Sequence, residues 1–397
     1  MAGFKLQNQL ADHYLQCGYL RKEPTLFVRD TWNIELMFEM SCPVPGETIR
    51  VFWKDGEKIL EGKVEEIKVD DRHYVYKTVL GPLSEGQHIY QIGVVNEAES
   101  TTRLLRQYSL THPKGNNSTL RIAAVSDNQF GLKTYSRVLR EVVRHQHIDY
   151  MLHAGDAVQD FENLQQWQTD FFAPLAHVGL GQRVPLIYAH GNHDQDPDWI
   201  YAYTRSSTIP REPWYAFTMG GNPDGTGGMR WIVLDSNIDS PAQDKFLAQE
   251  LASPASRRAT FRIVVTHIPP YIEFWDPETW FNQGESSWGQ FVRDRFVPMF
   301  EEHGVDLVIS GHQHNYQRGQ RNGIMYAIIG GAGGTLDFDR VQNWGMYEVT
   351  EAAFHYVILE MEPKDNTLRW RTFEVDGDII DEFILSAKEE ERSSSPN

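Results

Sequence analysis

Cysteine is nearly absent: Cys17 and Cys42 are the only two among 397 residues. Two thiols cannot make the disulfide framework that staples small secreted domains. Two reduced, partly buried thiols are therefore expected, with a single bridge between them as the alternative. Long apolar runs are missing as well. No stretch approaches the roughly 20 apolar residues that a spanning helix needs. The first residues, Met1 to Gln9, lack the apolar centre of a signal peptide, so a cytoplasmic chain that keeps off membranes is expected. Basic residues are scarce: 37 Lys and Arg stand against 55 Asp and Glu, a formal net charge of −18. That balance disfavours a nucleic-acid backbone or an anionic membrane as the main partner. Composition says nothing about oligomeric state, and the chain contains no internal repeat.

What is present is ample core material. With 41% hydrophobic residues the length favours two domains over one. Residues 1–111 read as all-β. Runs such as Thr31–Met40, Glu47–Trp53, Tyr74–Leu80 and His88–Asn96 are rich in β-branched and aromatic residues, with Pro and Gly turns between them. Strands spaced like this suggest a β-sandwich of the immunoglobulin or fibronectin type. Residues 112–118 form a polar linker. From 119 to 386 short apolar strands alternate with helical periodicity, for example Leu120–Val125 followed by Val138, Leu139, Val142 and Val143. Residues 387–397 are charged, Ser-rich and expected to be disordered.

Five strand ends carry the chemistry. Ala123–Ser126 runs into Asp127, Asn128 and Gln129. Tyr150–Ala154 runs into Gly155 and Asp156. Leu186–His190 runs into Gly191, Asn192, His193 and Asp194. Ile263–Thr266 runs into His267, and Leu307–Ser310 into Gly311, His312, Gln313 and His314. Ligands collect at the carboxyl ends of strands in α/β sheets. Taken singly, each residue has a plain structural reading as a helix cap, a turn or a hydrogen-bonded core histidine. Five strand ends delivering Asp, Asp, Asn, His and His-x-His in that order are not plausible as coincidence.

The series resembles the calcineurin-like metallophosphoesterase family, whose motifs run D-x-H/Q, G-D, G-N-H-D/E, x-x-H and G-H-x-H over about residues 119–320. The β-rich start, the run Gly330–Gly334 and the closing strands around Asp376 and Gly377 resemble the purple acid phosphatase branch. The resemblance implies an α/β (α+β) four-layer sandwich of two packed sheets flanked by helices, preceded by the all-β sandwich domain. It also implies two metal ions bridged by Asp156. Asp127, Gln129 and His314 would complete one site, and Asn192, His267 and His312 the other. Such a donor set suits manganese, zinc or iron, and a hydroxide shared by the ions would be the nucleophile. His193 would assist the leaving group, with Asp194 fixing its orientation. Departures matter too. Gln129 stands where many members have histidine, which implies a looser first site. Gln159 stands where purple acid phosphatases have a metal-binding tyrosine, so no iron–tyrosinate colour is expected.

Arg318 could meet a phosphate, and Trp275 and Trp280 could wall a bulky substrate, although an ion pair and domain packing explain these residues as well. The expected function is phosphomonoester hydrolysis on a phosphorylated small molecule or a phosphoprotein. A phosphodiesterase for small nucleotides is the nearest alternative. An inactive scaffold is the alternative from another class, and retention of His193 argues against it.

Overall fold

The computed structural model describes residues 17–112, 118–145, 147–194, 200–206, 212–222, 224–275 and 287–387. The expected linker at 112–118, except its two end residues, and all but Ala387 of the expected tail lie outside the described residues. Twenty-one strands organise the described chain. The first eight are β1 (Leu20–Val28), β2 (Ile34–Met40), β3 (Glu47–Asp55), β4 (Lys58–Gly62), β5 (Glu65–Asp70), β6 (His73–Leu80), β7 (Gly86–Asn96) and β8 (Thr101–His112). Then come β9 (Leu120–Val125), β10 (Tyr150–His153), β11 (Leu186–Tyr188), β12 (Tyr215–Met219), β13 (Met229–Val233), β14 (Phe261–Val265) and β15 (Leu307–Ser310). The last six are β16 (Tyr316–Arg321), β17 (Ile324–Ile329), β18 (Tyr347–Glu351), β19 (His355–Glu362), β20 (Thr367–Glu374) and β21 (Ile379–Ser386).

These strands make a ten-stranded sheet of order β21-β20-β19-β9-β10-β11-β1-β2-β6-β5, a seven-stranded sheet of order β12-β13-β14-β15-β17-β16-β18, and a four-stranded sheet of order β4-β3-β7-β8. Within β9, alternation sends Ala123 and Val125 to one face and Ile122 and Ala124 to the other. The first face packs under helix α1 (Leu132–Val142) and a helical segment over 164–178 that contains a π-turn at Trp167–Phe172. The second face meets Phe217, Trp231, Ile263 and Leu307 of the seven-stranded sheet. The far side of that sheet is covered by Leu247 of the helix Pro241–Leu251, Phe300 of the helix Val297–Glu302 and Phe296 at the start of the latter. Helices, sheet, sheet and helices give the four layers expected of a metallophosphoesterase fold.

The β-rich start is built into this scaffold. Strands β1, β2, β6 and β5 face the four-stranded sheet across a core of Leu36, Phe38, Val51, Trp53, Tyr90 and Ile92. The same strands continue the ten-stranded sheet, because β1 pairs in parallel with β11 through Phe27 and Leu186. The expectation of free thiols is corrected here. Cys17 precedes β1, Cys42 follows β2, and the antiparallel register pairs Leu20 with Met40. The two Cα atoms lie 4.5 Å apart and the sulfurs are bonded. Among the described residues, no helix is long and apolar enough to cross a membrane.

Candidate metal centre

The two central sheets point the carboxyl ends of β9, β10, β14 and β15 to one rim, and hydrogen bonds knit their loops together. Asp127 N donates to Gly155 O at 3.0 Å, Asn128 N to Asp156 O at 3.2 Å, and Gly311 N to His267 O at 2.9 Å. Three of the residues expected as ligands hold left-handed backbone: Asp127 (φ 60°), Asp156 (φ 54°) and His312 (φ 70°). Such backbone is uncommon outside glycine and concentrates at functional sites. Two motif glycines are there because nothing larger fits. A Cβ on Gly191 would lie 2.1 Å from Asp156 Oδ1, and one on Gly311 would lie 2.4 Å from Asp127 Oδ2.

Donor atoms converge at this rim. Asp127, Asp156 and His267 each offer one atom within 4.8 Å of the others. Asn192 Oδ1 lies 3.0 Å from His267 Nε2 and 2.8 Å from His312 Nδ1. His267 Nε2 is also 3.3 Å from Asp156 Oδ2. His267 Nδ1 faces the carbonyl of Ala154 at 2.8 Å, so that nitrogen carries the proton. A neutral His267 would then aim a lone pair at two oxygen acceptors, an arrangement that only a proton or a cation reconciles. Burial alone would lower the His267 pKa, but the Asp156 and Asp127 carboxylates raise it to about 10. The bound proton marks where positive charge belongs. His314 repeats the device, with Nδ1 held by Thr335 O at 2.7 Å and Nε2 turned inward, 3.6 Å from Asp127 Oδ1.

Burial lifts the Asp127 carboxyl to about 6. Burial also pushes Asp156 up, but His267 and the N–H of His193 outweigh it and hold the carboxyl well below the usual range. Burial and the charge of His267 press His312 down to about 3, so its ring is neutral and able to ligate. Gln129 Nε2 sits 3.2 Å from both Asp156 Oδ2 and His314 Nε2, while its buried Oε1 has no hydrogen-bond partner. Turning that amide over would satisfy the inward groups only if a cation stood among them. The residues present therefore fit a metal centre.

The structure thus brings together Asp127, Gln129, Asp156, Asn192, His267, His312 and His314, with His193 beside them. Two expectations change. The Asp194 carboxylate does not touch the His193 ring. It accepts the N–H groups of Asp156 (2.9 Å), Ala157 (3.0 Å) and Gly191 (3.0 Å) and the hydroxyl of Tyr188 (2.8 Å). It therefore clamps two ligand loops to each other, and burial together with Asp156 lifts it to about 6. His193 is held instead by Gln159, whose backbone carbonyl lies 3.0 Å from Nδ1. Arg318 stays out of the centre. Its guanidinium binds both carboxylate oxygens of Asp381 and one of Glu348, and packs over Phe383. Trp275 is described and exposed, whereas Trp280 lies outside the described residues.

Sequence reading passed over several supports. Tyr188 reads as an apolar strand residue, and nothing local reveals its bond to Asp194. Asp337 accepts the His314 N–H at 2.8 Å and stands just past the glycine run. Gln313, between the paired histidines, accepts from Glu273 N (3.1 Å) and Phe274 N (3.2 Å) and donates to Phe274 O. It staples the loop after His267 to the His-x-His turn.

Known proteins resemble this chain in sequence and fold. The profile described as calcineurin-like phosphoesterase matches residues 120–316. Purple acid phosphatase 5 of Arabidopsis thaliana is 26% identical over 270 residues, covering 65% of this chain and 58% of its own. Probable inactive purple acid phosphatase 24 of the same plant is 25% identical over 289 residues, covering 64% and 45%. The human serine/threonine-protein phosphatase CPPED1 is 25% identical over 190 residues, covering 44% and 56%. The chain thus spans about half the length of the curated relatives it matches. Among solved structures, the purple acid phosphatase PPD1 of yellow lupin superposes with a TM-score of 0.75 at 19% identity, over 91% of this chain and 74% of that one. That likeness concerns the fold.

Proposed function

Residues 120–316 are a calcineurin-like phosphoesterase domain, and we propose that the centre it carries makes the protein a binuclear metal-dependent phosphomonoesterase. One observation carries the proposal: inward-facing acceptors of Asp127, Asp156, Asn192, His267 and His312 crowd one buried spot. Asp127, Gln129 and His314 would hold one ion, Asn192, His267 and His312 the other, and Asp156 both. Manganese, zinc or iron so bound supplies an activated water and neutralises phosphoryl charge. The chain's own groups do the rest. Carbonyls of Ala154 and Thr335 orient the two imidazoles, and Asp194 fixes the distance between ligand loops. His193 gives Nδ1–H to Gln159 O, which leaves Nε2 of the imidazolium to pass a proton to the leaving oxygen.

The substrate would be a phosphorylated small molecule or a phosphoprotein. A second reading, a binding protein without turnover, is favoured by relatives named as probable inactive phosphatases and by Gln129. The Cys17–Cys42 bridge favours an oxidising compartment over the cytoplasm. The test is hydrolysis of 4-nitrophenyl phosphate and its diester by metal-depleted protein reloaded with manganese, zinc or iron. Turnover should return with metal, favour the monoester, and fall about 10²–10⁴-fold in His193→Ala. Two bound metals with no turnover would establish the binding-protein reading instead.

A further inference from the structure

Three large aromatic side chains stand in solvent close to the centre: Phe130 is 72% exposed, Phe338 70% and Trp275 43%. Exposed aromatics scattered over a surface are ordinary. These three are not scattered. Phe130 follows Gln129, whose amide nitrogen lies 3.2 Å from His314 Nε2. Phe338 follows Asp337, whose carboxylate accepts the His314 N–H. Trp275 donates its N–H to the carbonyl of Asp339 at 3.0 Å, and Phe274 bridges to Arg340, so the Trp275 and Phe338 segments run side by side.

The backbone beneath them is held at unusual expense. Phe130 sits at φ 62°, in the left-handed region that bulky residues avoid, yet its ring is not buried in return. Behind Trp275, Glu273 is fully buried and accepts from the Arg340 guanidinium and from Trp344 N at 2.6 Å. Its carbonyl takes the N–H groups of Val341 and Gln342. Gln313 fastens the same stretch to the His-x-His turn. A rigid backbone presenting aromatic faces to solvent loses little entropy on meeting a ligand ring.

We propose that Phe130, Phe338 and Trp275 form an aromatic rim, beside Gln129 and His314, that binds a planar aromatic group of the substrate. The preferred substrates are then phosphoesters with an aromatic ring within reach of the phosphorus, whether aryl esters or nucleotides. This rests on the phosphoesterase reading of the centre.

The test is calorimetry on the full, manganese-loaded chain with benzylphosphonate, cyclohexylmethylphosphonate and methylphosphonate. Aromatic stacking beyond area burial predicts that the benzyl compound binds about tenfold tighter than the methyl one and about threefold tighter than the cyclohexyl one. In the Phe130→Ala/Phe338→Ala double variant the benzyl preference should vanish while methylphosphonate affinity stays put. Phe338→Leu, which keeps apolar area and loses the aromatic face, should lose only the benzyl-over-cyclohexyl margin. Displacement of benzylphosphonate by phosphotyrosine would identify aryl esters as the source, and displacement by adenosine 5′-monophosphate would identify nucleotides. Equal affinities, or a double variant that keeps the preference, would overturn the rim alone. Failure of all three phosphonates to bind would overturn the phosphoesterase reading together with it.

Discussion

Two buried clusters of charge are built in opposite ways. Where the β-rich start meets the rest of the ten-stranded sheet, every buried carboxylate has a cation. Glu35 meets Lys77 at 3.2 Å and Arg29 at 2.8 Å, and Glu39 meets Lys22 and Arg21. Lys77 also donates to the carbonyls of Tyr201 and Thr204, and Glu35 accepts Ser206 N at 2.7 Å. At the strand ends, by contrast, Asp156 meets His267 Nε2 at 3.3 Å and Asp127 meets His314 Nε2 at 3.6 Å, and among the described residues no Lys or Arg pairs with either carboxylate. The first cluster is complete as folded. The second is complete only when positive charge is added, and that difference separates a structural ion-pair network from a site.

The largest effect that would sharpen this contrast is expected at Asp156. Asp156→Asn should weaken metal binding by more than about 100-fold, since even groups behind a ligand cost ~10–100-fold. The rise in melting temperature that metal gives the parent should disappear in the variant, whose metal-free form also loses the support that His267 and the His193 N–H give the ionised carboxylate. Isothermal titration and a thermal scan on the same protein check both halves. Lys77→Met should do the reverse, leaving metal affinity nearly unchanged and costing up to about 3–5 kcal/mol of stability, because buried Glu35 keeps Arg29 as its only cation and the carbonyls of Tyr201 and Thr204 lose their donor. Urea unfolding would read that loss, and a drop below about 1 kcal/mol would mean the network is not what ties the two parts together.

Acidity should also split the clusters. Burial pushes Glu35 up, but Lys77, the Ser206 N–H and Arg29 hold it below its ordinary 4.5. Its stabilising contribution is therefore present above pH 4.5 and lost as the pH falls through the depressed value. In the metal-free centre Asp156, held low by His267, follows Glu35, but two other groups have the reverse sign. His267, raised to about 10, and Asp127, raised to about 6, contribute stability at low pH that is lost as the pH rises through those values. Manganese replaces those protons, so its elevation of the melting temperature should be larger at pH 8 than at pH 5.5. Equal elevation at both would show that no proton leaves on binding. The smallest expected effect is Gln129→His, which exchanges an amide for a stronger imidazole donor and should tighten the Asp127–His314 half of the centre about tenfold, read as the weaker of two binding steps.

What could be read from the sequence follows from how local each signal is. The strand ends carrying Asp127, Asp156, Asn192, His267 and His312 are local, since an apolar run stopping at a polar residue is visible in one window. Alternating strands and helices imply an α/β domain, whereas the four layers come only from the family resemblance. The Cys17–Cys42 bridge was not legible because it depends on the β1–β2 register. The role of Asp194 is not local, because two of its four donors, Asp156 and Ala157, come from the loop after β10, which meets the loop after β11 only in the folded sheet. Arg318 looked available because its partner Asp381 lies 63 residues away. Continuity of the sheet from β11 into β1 pairs residues about 160 positions apart, and no spacing rule reaches that far.

The central claim is that the strand-end cluster is incomplete without two cations and catalytic with them. The most direct test titrates metal-free protein with manganese while recording heat and 4-nitrophenyl phosphate turnover together. The account predicts two equivalents bound, turnover rising with the second, and loss of both in Asp156→Asn. Binding of fewer than two equivalents, or turnover that survives in Asp156→Asn, would contradict it.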